Sequence, residues 1–444
     1  MQVTNKLLDE MSEKLRQAVI LTLSLGKKER VFVGNEERMF LYALLQRLPD
    51  SNHKTSLKIF DYSEITNHNF HDIWKMDSQR TLKIKRNRPL QDRFRSFAIA
   101  IRGIIWSAIR VITLKYKLRN TSTLIHYTSH LRHSHFVTPS LTDLYFKHQD
   151  TKDKALRKNF SQNLALVKFS PLLVDYLTAL FPTSHLESYI KLSTHPITKL
   201  EIGTVAASVY GLMSDPLLSF LIKKNCSRLV YVQHGGGYGL NKDHLGHQME
   251  ESGSDMMLYW GTGSNNVFPT RYREKYFQKI KRTSMIVLSS LQDEKTIKPY
   301  IELAKTISKK WQCNCVVSIH PDSLIYEDKY IRHGTSDRSL EQAQLVIFDN
   351  MYHSLMYQRI LARRPFLVLD SDFNDLTVQY DDGRRLLLLM RNSELLIPKN
   401  KLERVADDWM RFSPYESQQE FRERANLVLN HILNRPKLDV LLEI

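Results

Sequence analysis

Glycine is scarce in this chain: 15 of 444 residues, about half the roughly 7% share of ordinary proteins. Scarcity makes placement informative, and four of the fifteen fall within positions 235–239. Cysteine is rarer still, with Cys226, Cys313 and Cys315 only. An odd, sparse count excludes a disulfide framework and fits reduced thiols in a cytoplasmic setting. The C-x-C pair puts two sulfurs on one face of a strand, too few ligands for a metal site. No run of 18 apolar residues exists, so no spanning helix is expected. The opening MQVTNKLLDEMSEKLRQAVI is charged throughout, without an apolar signal core or small-residue cleavage site. There is no G-x-x-x-x-G-K-[ST], no G-x-S-x-G and no G-x-G-x-x-G. These absences exclude a Walker-type ATPase, a nucleophile-elbow hydrolase and a standard dinucleotide fingerprint.

What is present is an ordinary globular composition, 42% hydrophobic and 25% charged. The net charge of +17 is uneven. Between Arg80 and Arg119 twelve basic residues face one acid, Asp92, so this stretch carries +11 of the total. Within it Phe97, Ile101, Ile104, Ile105, Ala108 and Ile112 follow helical spacing, with Trp106 beside the stripe. Such a basic amphipathic helix suits the headgroup region of an anionic membrane. A core helix with a solvated basic edge fits the same pattern. Nucleic acid is disfavoured as a partner: no zinc finger, RNA-binding sheet signature or interleaved aromatic platform is found.

Strand and helix patterns alternate along the chain. VFVGN (31–35) reads as a strand ending in glycine before a helix, SLKIFDY (56–62) and TLIHYT (123–128) as strands, and 139–195 as mostly helical. RLVYVQHGG is a strand and its loop, HLGHQMEESG a short helix and DMMLYWG (255–261) a strand. Residues 262–283 read as a connector. TSMIVLSS, NCVVSIHP, LVIFDN and PFLVLD then alternate with helices, and the tail from Leu402 reads as a helical pair. This alternation predicts an α/β fold of parallel, doubly wound sheets. The expected plan is GT-B-like: two Rossmann-like domains facing a cleft, residues 1–270 and 271–444, with the basic helical insertion in the first half.

Four stretches carry candidate chemistry. Gln233-His234-Gly235-Gly236-Gly237-Tyr238-Gly239 ends a strand, where glycines let backbone amides approach a ligand. A tight turn with a packed histidine is the plainer reading. HQMEESGSD offers Glu250, Glu251 and Asp255. Ser318-Ile319-His320-Pro321 puts an imidazole at a strand's carboxyl end. In Asp349-Asn350-Met351-Tyr352-His353-Ser354 a strand gives way to a helix, where a Ser hydroxyl and free amides make either a cap or an anion site. Asp370-Ser371-Asp372 is a D-x-D after a strand, the kind of pair metal-dependent sugar transferases use; here it falls late in the domain.

"QHGGGYG", Glu250 and "SDMMLYWG" resemble a family of bacterial surface-carbohydrate transferases with a QHGGxYG strand end, a glutamate-bearing helix and a Ser-Asp-x-x-x-x-W-G strand. "LFPTSHLESY" (180–189) and "FDNMYHSLMYQRILARRPFLVLD" extend the likeness over about residues 165–375. More distantly the pattern is similar to GT-B enzymes that use cytidine nucleotides: teichoic-acid glycerophosphotransferases and sialyl-, Kdo- and pseudaminic-type transferases. The resemblance implies that His320 and Pro321, with Asn350, His353 and Ser354, hold the nucleotide. It implies that Gln233, Gly235, Gly236, Gly237 and Tyr238 bind substrate, and that His234 faces the reacting sugar with His234 or Glu250 as base. The family often has two Ser/Thr side by side and then a helical Glu; here these are His353-Ser354 and Tyr357.

The expectation is a metal-independent glycosyltransferase without a cofactor. It would move a nonulosonic-type sugar from a CMP-activated donor to a lipid-linked O-antigen or capsule acceptor, from the inner face of the membrane. A CDP-glycerol-type polyol-phosphate transferase and a non-catalytic nucleotide- or nucleic-acid-binding protein are the alternatives. If residues 80–119 seek an anionic surface, co-sedimentation with anionic vesicles falls as salt rises beyond about 0.1 M, where screening shortens to roughly 10 Å. Salt-independent partitioning contradicts that reading.

Overall fold

The computed structural model describes residues 4–47, 123–126, 137–138, 152–235, 237–240, 245–263, 265, 281–288, 294–319, 328–334, 337–351, 353–361, 364–370, 380–398, 423–428 and 430–431. The basic stretch 80–119, the strand expected at 56–62, Gly236, His320, Pro321, Ser371, Asp372 and most of the tail lie outside them. The chain forms two compact units. The first comprises Met1–Val232 and His244–Met257, the second Gln233–Asp243 and Leu258–Ile444.

The first unit begins with α1 (Asn5–Thr22), whose first turn is capped by Thr4 accepting from the Leu7 amide at 3.3 Å. It packs against α2 (Glu36–Arg47) and the helix Lys154–Leu166. Asp153 caps that helix through the amides of Ala155 and Leu156, at 2.8 and 3.0 Å. Pro171 and Pro216 open two further helices at the position where a missing N–H costs nothing, behind Ser170 and Asp215 caps. Val31–Val33 are buried but pair with no strand among the described residues, so of the expected strand at 31–35 and helix at 36–48 the helix Glu36–Arg47 forms.

The first sheet has the order β2-β1-β3-β4-β5. Its strands are β1 (Thr123–His126), β2 (Val137–Thr138), β3 (Ile202–Ala207), β4 (Cys226–Val232) and β5 (Met256–Leu258). The β1–β2, β1–β3 and β3–β4 pairings are parallel. Strand β5 is shorter than the seven residues expected at 255–261, because Tyr259 already bonds Asn265 across a turn, N to O at 2.7 Å.

The second sheet comprises β6 (Lys281–Val287), β7 (Asn314–Ile319), β8 (Ile331–His333), β9 (Ala343–Phe348), β10 (Phe366–Asp370) and β11 (Leu396–Pro398). Its order is β11-β10-β9-β6-β7-β8, and all five pairings are parallel. Every residue of β9 is buried, as a strand covered on both faces requires. Counted from β6 the order is 3-2-1-4-5-6, the doubly wound order of nucleotide-binding sheets. The short β8 and β11 and the helix Asp381–Asn392 complete the alternation beyond what the sequence pattern foretold.

Arg157 holds the segment after the helix Pro171–Leu180. Its guanidinium donates to both Glu187 oxygens, at 2.6 and 2.7 Å, and to the carbonyls of Thr178 and Phe181. Both side chains are under 10% exposed. Arg157→Ala strands a buried carboxylate, so urea denaturation is expected to show a loss of about 3–5 kcal/mol.

Candidate functional site

An open parallel sheet binds ligands beyond the carboxyl ends of its strands, where the strand order reverses. In the second unit that point lies between β6 and β9. The residues leaving β9 there are Asp349, Asn350 and, after two more positions, His353 and Ser354. The Asp349 amide bonds the Val287 carbonyl at 3.2 Å, fixing the loop to the end of β6. His353 is buried; its Nε2 lies 3.3 Å from Asp349 Oδ1 and its ring tilts against Phe348 with centroids 5.1 Å apart. Ser354 opens the helix Ser354–Leu361, and the His353 carbonyl accepts from the Met356 amide at 3.2 Å. A helix's first amides have no intrahelical acceptor and its dipole favours negative charge. A Ser hydroxyl at that end adds a donor, so this corner suits an anionic oxygen.

This helix is firmly held. Arg359 is fully buried and donates to the carbonyls of Leu340, Ala343 and Pro365. Burial pulls its pKa down from the ordinary value, and these carbonyls keep a desolvated guanidinium in place. Tyr357, standing where the resembling family has a helical Glu, is 1% exposed and packs edge-on against Trp260 at 5.3 Å. No ribose contact from that position is possible without unpacking it.

Trp260 connects this helix to the glycine run. Its backbone amide donates to the buried Gln233 Oε1 at 2.8 Å. The Gln233 amide donates to Leu258 O at 2.9 Å, and its Nε2 donates to Gly235 O. Gln233 is therefore spent on shape rather than on substrate. His234 is half-buried, with the Tyr238 hydroxyl 2.6 Å from its Nδ1 and the two rings edge to face at 5.0 Å. Three stretches distant in sequence, at 233–239, 258–261 and 349–357, thus meet in the second unit.

The glycines of the run differ in purpose. Gly239 has φ +74°, and a Cβ there would lie 2.5 Å from the Thr262 carbonyl oxygen. Its backbone conformation calls for glycine, although it is not among the expected ligand contacts. Gly235 has no such φ, and a Cβ on it would meet only Tyr238 Cε2, at 3.7 Å. Gly237 accepts from the Leu240 amide at 3.2 Å, shaping the turn.

Glu250 falls in the first unit. It lies on the helix Leu245–Ser252 and is 2% exposed, within a cluster around Tyr231. The Tyr231 hydroxyl donates to the Gly34 carbonyl at 2.7 Å. Burial, and then the carboxyls of Glu36, Glu250 and Glu37, hold its pKa well above the usual value. Glu36 accepts from the Ser219 hydroxyl and from the Val33 amide, the latter at 3.3 Å. Its Oε2 lies 3.5 Å from His185 Nε2, and that imidazole is stacked between Phe32 and Phe220 at 5.9 and 5.7 Å. The SHLE stretch is thus a buried brace for the start of α2. The Ser-Asp pair is also structural in part: Asp255 exchanges two bonds with Leu229, through its side chain at 2.6 Å and its amide at 2.9 Å. Glu36 and His185 escaped the sequence reading, yet V-F-V-G-N-E-E, two carboxylates opening a helix after an apolar run, was the available signal. Asp370 accepts from Arg391 Nε at 3.2 Å. Among the described residues no cluster of His, Cys, Asp or Glu is arranged to hold a metal ion, and no helix is long and apolar enough to cross a membrane.

A family model described as LIC12162 family transferase matches residues 12–307. No curated protein matches. Among solved structures the chain is similar to Spinosyn Rhamnosyltransferase SpnG, at 12% identity over 72% of this chain and 98% of that one, with a TM-score of 0.30. It is also similar to Spinosyn Forosaminyltransferase SpnP, at 11% identity over 72% and 96%, with a TM-score of 0.25.

The two glycines give opposite expectations. Gly239→Ala is expected to lower the thermal midpoint clearly, by strain and collision with Thr262. Gly235→Ala is expected to leave the midpoint within about 0.5 kcal/mol of stability, as for a surface change that clashes with nothing. Equal losses in a melting experiment contradict this division.

Proposed function

The chain belongs to the LIC12162 family of transferases, and on that premise we propose that it is a glycosyltransferase of the two-domain GT-B kind. Its donor is a CMP-activated nonulosonic-type sugar and its acceptor a surface-polysaccharide glycan carried on lipid. The observation that carries the nucleotide part is the 3-2-1-4-5-6 order of the second sheet with Asp349, His353 and Ser354 at its reversal. The cytidine base, the nonulosonic sugar and the lipid carrier rest on the sequence resemblance.

In this mechanism an acceptor hydroxyl attacks the anomeric carbon. The bond from that carbon to the phosphate oxygen breaks, and CMP leaves with the electron pair. The hydroxyl proton passes to a base. His234 takes that role because it is half-buried, whereas Glu250 is 2% exposed. The Tyr238 hydroxyl lies at the ring edge, 2.6 Å from Nδ1 and 3.1 Å from Nε2, and holds the ring's orientation. Gly235 lets the loop approach the sugar closely. The amides opening the helix Ser354–Leu361, the Ser354 hydroxyl and the imidazoles of His353 and His320 meet the charge on the departing phosphate, so no metal is needed for that step. The basic stretch 80–119 holds the enzyme at the anionic inner leaflet, where lipid-linked acceptors lie.

A thermal-shift panel with CMP, CDP, UDP, GDP and ADP tests the donor class. At about 100 times Kd a ligand adds roughly 2.7 kcal/mol, and the shift is expected with CMP. A shift with UDP or GDP instead discards the cytidine donor, and one with CDP alone favours polyol-phosphate transfer. His234→Ala is expected to lower kcat by about 10²–10⁴-fold with the CMP shift retained. A loss under tenfold removes His234 as the base.

A further inference from the structure

Six large apolar side chains stand exposed among the described residues, and three of them, Leu21, Leu166 and Leu172, share one end of a three-helix group in the first unit. The helices bring them there. α1 and the helix Lys154–Leu166 pack side by side, and Asn163 Nδ2 donates to Thr22 Oγ1 at 3.0 Å, close to the carboxyl ends of both. Leu21 precedes Thr22, and Leu166 lies three residues past Asn163, the spacing of neighbours on one helix face. The chain then turns back. The Phe169 amide bonds the Leu164 carbonyl at 3.1 Å, and the helix Pro171–Leu180, with Leu172 in its first turn, packs against the one just left.

The core does not use these leucines. Each helix buries a stripe of its own: Leu8 and Leu15 in α1, Phe160 and Leu164 in the second helix, Val174 and Leu177 in the third. Leu21, Leu166 and Leu172 stay 48%, 69% and 55% exposed. Single exposed leucines are ordinary; three gathered at one end of a helix group mark a contact surface. Its margin is basic. Lys168 follows Leu166 by two residues, and Lys27 and Lys28 follow the end of α1; all three are exposed. The Leu25 amide bonds the Ile20 carbonyl at 2.9 Å, which folds the start of that segment back onto the end of α1. No acid occurs between Glu13 and Glu29, or between Asp153 and Asp175.

We infer that this end of the first unit enters the surface of an anionic bilayer, its three leucines reaching the acyl boundary while Lys27, Lys28 and Lys168 meet lipid phosphates. The lysines alone would gather any anion, and the leucines alone would suit any apolar partner. A bilayer surface is negative at the headgroups and apolar a few ångströms below, and exposed leucines with a cationic, acid-free margin match both layers. This surface is distinct from residues 80–119, and the claim does not rest on the donor reading.

The test is co-sedimentation of the full-length protein with vesicles of phosphatidylcholine and phosphatidylglycerol. At about 1 M salt, where screening shortens to roughly 3 Å, the apolar contribution is isolated, and binding is expected to persist in reduced form. The triple variant Leu21→Gln, Leu166→Gln, Leu172→Gln is expected to lower partitioning about a hundredfold, about fivefold for each half-exposed leucine. Its melting midpoint is expected to stay, since none of the three is buried; if it drops, Leu166→Gln alone decides, by its fivefold loss. Leu427→Gln, at an exposed leucine of the second unit, is expected to change nothing. At about 0.1 M salt, Lys27→Ala, Lys28→Ala and Lys168→Ala together are expected to weaken binding. Binding that the leucine variants leave intact overturns the inference and leaves the reading of residues 80–119 standing. No vesicle binding at any salt also overturns it, including the case in which sedimentation shows a dimer that the triple variant dissolves, which assigns the leucines to a second copy. The nucleotide panel is run without vesicles, so its outcome bears on the donor reading alone.

Discussion

The arrangement of the second unit's site hangs on one buried side chain, Gln233. Its Oε1 receives the Trp260 amide, its Nε2 serves Gly235 and its backbone N–H bonds Leu258. A primary amide can both accept and donate, and here it does each once in a fully buried position. That fixes the glycine run and the W-G turn to a common point. Trp260 then packs on Tyr357, three residues into the helix that begins at Ser354. The orientation of His234 and the position of the helix end at Ser354 are therefore consequences of the same constraint. A Glu at 233 would keep the acceptor and lose the donor, leaving Gly235 O unserved.

The same economy governs the first unit. Gly34 has no side chain because Tyr231 must reach its carbonyl, and Gly253 has none because Gly34 is already there. Around this knot Glu36, Glu37, Glu250 and His185 are nearly sealed from solvent. Buried carboxyls in such number are costly unless bonded. Three of the oxygens find a hydroxyl, an amide or an imidazole: Glu36 Oε1 the Ser219 hydroxyl, Glu36 Oε2 the Val33 amide and the His185 ring, and Glu37 Oε1 the Ser12 hydroxyl.

Much of the fold was legible in the sequence. Apolar runs such as LVIF and FLVL are buried on both faces and can only be parallel interior strands, and their alternation with helices predicts the doubly wound sheet. The helix start at Ser354 was legible for the same reason, since it follows an apolar strand and opens an apolar-periodic helix. Other roles were hidden because they depend on contacts between distant segments. Gln233 reads as part of a ligand motif, yet its partner lies 27 positions on. Glu250 reads as a base because it is a carboxylate in a conspicuous stretch; the cluster around Tyr231 that buries it includes residues more than 190 positions away. Gly239 and Gly235 are indistinguishable as letters, and only φ and the Thr262 carbonyl separate them. Short strands such as β8 and β11 carry too few residues for a pattern to be seen.

The central claim is that the segments 233–239 and 349–357 act together on one nucleotide-bound ligand. Hydrogen–deuterium exchange with and without saturating CMP tests it most directly. The account predicts slowed exchange in the amides at the start of the helix Ser354–Leu361 and in the glycine run, with the turn at 33–37 unchanged. Protection confined to other segments, or none while CMP is bound, contradicts it.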